Sequence, residues 1–201
     1  MLLRVAQEVH DTEAEGPGRR YAFWVQGCSL RCPGCCNPEM FVEGKGGTLI
    51  ESTELAARII ATQGLEGISV LGGEPFEQAE GVAIVAERVQ AAGMSVMIYS
   101  GYTRAELELR AVTAVCVQRL LDACDVLVDG RYEQSLPETK RRWLGSSNQV
   151  MHFLTPRYSP TDARFSTVNT VELRYEKGVL TINGWPAAAD AARPTTHRKG
   201  L

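Results

Sequence analysis

The middle of the chain alternates between helical and extended patterns of apolar residues. Two segments repeat apolar residues at intervals of three and four, which predicts amphipathic helices. Their apolar positions are Leu55, Ala56, Ile59 and Ile60 in the first helix, and Ala79, Val82, Val85, Ala86 and Val89 in the second. Gly93 follows the second as a typical helix stop. Two shorter helices are predicted around residues 104–111 and 114–124.

Three short apolar runs between these helices predict buried strands. They are GISVLGG at 67–73, MSVMIYSG at 94–101 and DVLVDG at 125–130. Strands that alternate with helices are typical of a parallel sheet covered by helices, with right-handed crossovers. The sequence therefore predicts an α/β fold with a mainly parallel sheet.

Each predicted strand ends in a polar turn that contains glycine. The three turns are Gly72-Gly73-Glu74-Pro75, Ser100-Gly101-Tyr102 and Asp129-Gly130-Arg131. Functional residues gather at the carboxyl ends of parallel strands. Any one of these turns is equally well explained as a plain loop. We expect all three to face the same rim as a cysteine-rich loop described below.

The pattern changes after about residue 155. A polar, turn-rich stretch leads to a predicted hairpin at 170–185, in which Val171, Leu173 and Tyr175 alternate with polar residues before a turn at 176–178. The tail that follows has little to bury, and we expect its end to be disordered. We therefore divide the chain into a domain at 1–158 and a hairpin with a flexible tail at 159–201, packed on the same domain.

Composition and charge exclude several classes of protein. The chain has 201 residues, 44% of them hydrophobic, and a net charge of −3. A general nucleic-acid binder needs a basic excess, which is lacking here. The first residues turn acidic before a long apolar run develops, so we expect no signal peptide. No run approaches 18 apolar residues, so no membrane span is expected.

Four of the six cysteines stand within ten residues, in the segment GCSLRCPGCC at 27–36. A secreted disulfide framework would instead spread its cysteines along a small, loop-rich chain. Clustered thiols in a chain of this length favour a reducing cytosol, in which thiolates serve as metal ligands. We therefore expect a cytoplasmic protein.

The spacing of these cysteines favours an iron–sulfur cluster over zinc. A structural zinc site needs four ligands, usually in two separated pairs, and the sequence offers no second pair. Cys35 and Cys36 are adjacent, and their side chains tend to diverge, which leaves three well-spaced thiolates at Cys28, Cys32 and Cys35. Three thiolates suit three corners of a [4Fe-4S] cluster whose fourth iron stays open. The alternative is a set of buried or redox-active cysteines.

The motif Cys28-x3-Cys32-x2-Cys35 resembles the cluster motif of the radical S-adenosylmethionine superfamily. Within it, the chain most resembles the activating proteins of anaerobic ribonucleoside-triphosphate reductase and related glycyl-radical enzymes, over about residues 15–154. The matching segments occur in the family's order and are EGPGRR, CPGCCNPEMF, LGGEPF, YSGYT, DVLVDGRYEQSL and WLGSSNQVMHFL. In fold, this resemblance implies a partial (β/α) barrel that carries the predicted hairpin as an extension.

The resemblance also implies roles for individual residues. Cys28, Cys32 and Cys35 would bind the cluster, and S-adenosylmethionine would bind its open iron. The residues implied in binding this cofactor are Gly34, Cys36, Gly72, Gly73, Glu74, Pro75, Ser100, Asp129 and Arg131. Two of these assignments have a plain alternative, since Asp129 suits a helix-capping carboxylate and Cys36 suits either packing near the adenine or a redox-active thiol. Cys116 and Cys124 are expected to be small core residues.

The activity implied is reductive cleavage of S-adenosylmethionine to a 5′-deoxyadenosyl radical, which then generates a glycyl radical on a large partner. The protein would orient the reactants and exclude water, because the chemistry belongs to the cofactor. No acid–base residues are expected. The partner would be an anaerobic ribonucleotide reductase or another glycyl-radical enzyme, and the electron donor a flavodoxin or ferredoxin. Two alternatives stay open: an enzyme of the same superfamily that modifies a peptide or small molecule, and a non-enzymatic module that binds metal or carries electrons.

Overall fold

The computed structural model describes residues 1–176 and 178–184. Within these residues, the chain forms nine strands and four α-helices. The strands are β1 (Leu2–Thr12), β2 (Arg20–Val25), β3 (Thr48–Glu51), β4 (Gly67–Gly72), β5 (Ser95–Tyr99), β6 (Val126–Asp129), β7 (Val150–Phe153), β8 (Val171–Glu176) and β9 (Val179–Gly184). The helices are α1 (Ser52–Ala61), α2 (Ala79–Ala91), α3 (Arg104–Ala111) and α4 (Val115–Asp122).

Seven of the described strands form one mixed sheet in the order β3-β1-β2-β4-β5-β6-β7. The four central strands, β2, β4, β5 and β6, are parallel. The outer pairings, β3 with β1, β1 with β2 and β6 with β7, are antiparallel. The sheet is therefore mixed, with the predicted parallel pairing at its centre and antiparallel pairing on both sides. Its edges β3 and β7 do not pair, so the described sheet is open, and curvature into a partial barrel stays a prediction.

The helices cover one face of the sheet. Because β2, β4, β5 and β6 lie side by side in chain order, right-handed crossovers place their helices on the same side. The core on this side is apolar and joins helix α2 to alternate strand positions such as Val96, Ile98 and Leu127. The predicted helical faces are buried, except that Ile60 is 42% exposed. The helices and strands expected in the middle of the chain are confirmed.

The other face of the sheet carries a smaller, aromatic cluster. Met97, Val126 and Val128 point to this side, where they pack with Trp143 and Tyr158. This face is covered by irregular chain between β6 and β8 rather than by helices. It therefore leaves space for a cavity at the carboxyl ends of the parallel strands.

The C-terminal hairpin is confirmed as β8 and β9, which pair antiparallel in a sheet of their own. The described residues do not include Lys177 or the tail at 185–201. The expected disorder at the end of the tail therefore stays a prediction. In the described part of the chain, no helix has the length and apolar character needed to cross a membrane.

Candidate iron–sulfur and cofactor site

The cysteine loop leaves the carboxyl end of β2 and is fastened on both sides. The main-chain N–H groups of Gly27 and Cys28 donate to the carbonyl oxygens of Met40 and Phe41, at 2.8 and 3.2 Å. The next residue, Ser29, donates from its main chain and its hydroxyl to the carboxylate of Glu77. The first cysteine is therefore held by the backbone of the loop's return and by the turn after β4.

The turn after β4 packs directly against this loop. Gly73 N–H donates to Val25 O at 2.7 Å, and Glu74 N–H donates to Gly27 O at 2.8 Å. The two backbones approach so closely that a Cβ atom on Gly73 would lie 2.0 Å from Gly27 O. Glycine is required at this position because any side chain would clash with the cysteine loop, and not because of the backbone dihedral angle. The Gly72-Gly73 pair thus joins the strand end to the cysteine loop.

The buried carboxylate of Glu74 links the ends of β4 and β5. It accepts hydrogen bonds from Phe76 N at 3.0 Å, Ser100 Oγ at 2.9 Å and Gly101 N at 2.8 Å. Burial raises the pKa of Glu74 to about 7, although these donors oppose the shift. Glu74 therefore positions Ser100 and the Gly-Gly turn relative to each other.

These strand ends and the cysteine loop surround a cavity of about 510 Å³. Its lining combines the ends of three parallel strands with the cysteines, as predicted from the strand-end turns. The lining residues at this rim are Cys28, Cys32, Cys36, Gly72, Gly73, Glu74, Ser100, Gly101 and Gly130. The cavity has the size and place of a cofactor site in a parallel sheet.

The thiols of the loop differ in their surroundings. Burial raises the pKa values of Cys28 and Cys32. Main-chain N–H groups oppose this shift: those of Leu30 and Arg31 at Cys28, and that of Tyr132 at Cys32. Contact with the Cys36 thiol is the main cause that lowers the pKa of Cys35 to about 6. Main-chain donors directed at thiolate sulfurs are also the groups that tune iron–sulfur clusters.

The residues present fit a cluster by their chemistry. None of the four cysteines of the loop forms a disulfide, and cysteine thiolates are the soft donors that iron–sulfur clusters require. No three His, Cys, Asp or Glu side chains among the described residues converge on a point that suits a single metal ion. In a [4Fe-4S] cluster each thiolate binds a different iron, so the thiolates need not converge in this way.

Cys35 does not line the cavity, whereas its neighbour Cys36 does. Cys35 is half-buried, and its sulfur accepts a hydrogen bond from Asn37 N at 3.5 Å. The assignment of Cys35 rather than Cys36 as the third ligand therefore depends on the motif spacing, and it stays a prediction.

Four other predicted cofactor residues also lie outside the cavity lining: Gly34, Pro75, Asp129 and Arg131. Asp129 accepts from the N–H of Arg104, the first residue of α3, as expected of a helix-capping carboxylate. It also lies 3.0 Å from Nε2 of His152. Arg131 pairs with Glu106 at 3.0 Å. Their cofactor roles stay predictions, whereas Cys36, Gly72, Gly73, Glu74 and Ser100 meet at the cavity.

Sequence analysis assigned no site role to many other residues that line the same cavity, among them Glu15, Trp143 and Asn183. Glu15 is buried and accepts a hydrogen bond from Gly184 N at 2.7 Å. Burial raises the pKa of Glu15 to about 7. These residues stand far apart in sequence, and their charge or size alone gave no signal that they meet.

The two buried carboxyls, Glu15 and Glu74, predict a pH-dependent stability. Between pH 4.5, the ordinary pKa, and about 7 the folded state keeps protons that the unfolded chain has released. Stability therefore falls as pH rises through this window, by on the order of 3 kcal/mol for each group. We expect Glu15→Gln and Glu74→Gln each to flatten the fall in melting temperature between pH 5 and 8, relative to exposed Glu54→Gln. Parallel curves for all variants would contradict this.

Comparison with known proteins agrees with this site. The family described as "4Fe-4S single cluster domain" matches residues 14–152, which include the whole cysteine loop and the central strands. The class defined by the fold and the site is thus that of proteins with one [4Fe-4S] cluster.

Named relatives narrow this class. The anaerobic ribonucleoside-triphosphate reductase-activating proteins of Salmonella typhimurium and Escherichia coli K12 are both 32% identical to this chain, over 69% of it and 91% of each relative. The protein of that name from Vibrio cholerae is 33% identical, over 70% of this chain and 91% of its own length. The chain belongs to the family of anaerobic ribonucleoside-triphosphate reductase-activating proteins.

Proposed function

We propose that this protein is a radical S-adenosylmethionine enzyme that generates a glycyl radical on an anaerobic ribonucleotide reductase. The observation that carries the proposal is the junction of the cysteine loop with the Gly-Gly turn around one cavity. Cys28 and Cys32, two of the three proposed ligands, line this cavity beside a strand end that carries two glycines. The relatives' name, which refers to activation of the reductase, supports the choice of partner.

In this proposal, Cys28, Cys32 and Cys35 hold the [4Fe-4S] cluster. When bound and reduced, for example by a flavodoxin or ferredoxin, the cluster supplies the electron that splits S-adenosylmethionine into methionine and a 5′-deoxyadenosyl radical, which removes a hydrogen atom from glycine. Gly72 and Gly73 leave the strand end open to the methionine part of the cofactor. Ser100 offers a hydroxyl at the next strand end. The protein's part is to orient the reactants and exclude water.

The test is to reconstitute the protein anaerobically and add reductant, S-adenosylmethionine and the anaerobic reductase from the same organism. We expect a glycyl-radical signal in electron paramagnetic resonance, together with stoichiometric 5′-deoxyadenosine. Omission of either the activating protein or S-adenosylmethionine is the control. Cofactor cleavage without a signal on the reductase would contradict the activating role, whereas absence of cleavage would contradict the radical chemistry.

A second candidate is an enzyme of the same superfamily that modifies a peptide or small molecule. The observation in its favour is that β9 lines the cavity, through Leu180, Ile182, Asn183 and Gly184. With β9 as an additional wall, the cavity has more surface with which to bind a peptide or small-molecule substrate. This candidate gains if cleavage of S-adenosylmethionine is observed and no reductase acquires the radical.

A further inference from the structure

The C-terminal hairpin is an addition to the part of the chain that matches the family. The match ends at residue 152, and the hairpin formed by β8 and β9 begins at Val171. Four residues of β9 nevertheless line the cavity that also contains Cys28, Cys32 and Cys36. The hairpin therefore builds part of the functional cavity from outside the matched region.

Polar bonds fix the hairpin to the segment that follows β1. Gly184 N donates to Glu15 Oε1 at 2.7 Å, and Asn183 Nδ2 donates to Thr12 Oγ1 at 2.9 Å. On β8, the carboxylate of Glu172 accepts from Glu13 N at 2.8 Å. These three bonds, from two strands to Thr12, Glu13 and Glu15, hold the hairpin in one position against the domain.

The opposite face of the hairpin is apolar and largely exposed. Leu173 pairs with Ile182, and Tyr175 pairs with Leu180, so the four side chains share one face. Leu180 and Ile182 line the cavity, whereas Leu173 is 64% and Tyr175 is 74% exposed. This apolar face therefore runs from the cavity out to solvent. Contiguous exposed apolar groups of this kind mark binding surfaces.

Two buried polar atoms on cavity-lining residues have no hydrogen-bond partner among the described residues: the indole Nε1 of Trp143 and Oδ1 of Asn183. The Nδ2 atom of the same Asn183 amide donates to Thr12 Oγ1. Buried groups of this kind are normally satisfied. Trp143 also has a φ of 64°, which is unusual for a bulky residue and typical of functional sites. One free donor and one free acceptor match the C=O and N–H of a peptide group.

We propose that the hairpin forms a peptide subsite for the partner's glycine-bearing segment. This inference rests on the proposed function and adds to it the surface that recognises the substrate. Apolar side chains of the segment cover Leu173 and Tyr175, and its backbone bonds to Trp143 and Asn183 within the cavity. A small molecule in the cavity would leave Leu173 and Tyr175 uncovered. The folded surface of a second copy would cover these two side chains without entering the cavity. Of these three occupants, an extended segment is the one that both covers the exposed side chains and enters the cavity.

The test measures binding of a synthetic peptide that spans the radical glycine of the anaerobic reductase, and of the intact reductase, to the reconstituted protein. We expect Leu173→Ser combined with Tyr175→Ser to weaken both by about tenfold, as for apolar anchors of an interface. Leu109→Ser is the matched control, because Leu109 is 75% exposed on α3. Iron content and melting temperature should match the parent in both variants.

Trp143→Phe tests the backbone contact, because it keeps an aromatic ring and removes the indole N–H. We expect peptide affinity to fall about fivefold, as for loss of one neutral hydrogen bond.

Unchanged peptide affinity in both hairpin and Trp143 variants, with normal radical formation by the parent, overturns the subsite and leaves the proposed function intact. If the hairpin variant changes self-association and leaves peptide affinity unchanged, the apolar face binds a second copy, and the peptide subsite is also overturned. Failure of the parent to form the radical while it cleaves S-adenosylmethionine counts against the proposed function instead.

Discussion

Replacement of Cys28, Cys32 or Cys35 by Ala is expected to abolish cleavage of S-adenosylmethionine. Each substitution removes one thiolate, and no three His, Cys, Asp or Glu side chains among the described residues converge to form a metal site that could compensate. A cluster with two remaining protein ligands has too few anchors to persist in a half-exposed loop. Iron and sulfide content, visible absorption and 5′-deoxyadenosine yield after anaerobic reconstitution measure the loss. All three values should fall to those of the unreconstituted chain.

Cys36→Ala is the matched control, since it removes a thiol from the same loop. We expect it to keep the cluster and most of the cleavage activity. The structure makes this control decisive, because Cys36 lines the cavity and Cys35 does not. A cluster that survives in Cys35→Ala and disappears in Cys36→Ala would transfer the third ligand to Cys36. It would contradict the assignment from spacing while leaving the iron–sulfur site in place.

The central part of the fold was predictable because its signals are local. Helix α2 and strands β4, β5 and β6 each carry an uninterrupted apolar pattern between glycine-containing turns. The convergence of strand ends at one rim followed from parallel pairing alone. These elements and the cysteine loop account for the cluster side of the cavity.

The N-terminal strands were not predicted. In β1, an irregularity between Val5 and Gln7 shifts the register and breaks the alternation of apolar residues. In β2, the first residue is Arg20, whose charge argues for solvent, yet its side chain is wholly buried. Its guanidinium donates to Ser69 and Ser95 on neighbouring strands. Such long-range partners cannot be read from a local pattern.

The hairpin side of the cavity was hidden for the same reason. Asn183 lies near Glu15 because β9 docks on the segment after β1, and Trp143 lies at the same cavity because it packs on β5 and β6. The left-handed backbone of Trp143 is also unpredictable, since sequence preferences assign that conformation to glycine or asparagine. A hairpin was expected in this region, but its pattern did not say what its faces contact.

Gly73→Ala is expected to weaken binding of S-adenosylmethionine by at least about tenfold and to lower the stability of the fold. The added Cβ atom would lie 2.0 Å from Gly27 O and 2.7 Å from Gly27 C, both of which are main-chain atoms that cannot rotate away. Relief requires separation of the Gly-Gly turn from the cysteine loop, and overpacking of this kind costs about 1–3 kcal/mol. In a chain of this size, that cost corresponds to about 2–12 °C in melting temperature.

Gly81→Ala supplies the control for Gly73→Ala, because its Cβ atom would meet only side chains, at 3.2 Å or more, within helix α2. Alanine is favoured over glycine in a helix by about 1 kcal/mol, which offsets the tight contacts with Ser52 and Leu3, so this variant should lose far less stability than Gly73→Ala. Calorimetric titration with S-adenosylmethionine and thermal unfolding compare the two variants directly. Because Gly27 precedes Cys28, the displaced loop should also lose part of its iron. Equal cofactor affinity, iron content and melting temperature in both variants would show that the close approach of the two backbones does not shape the site.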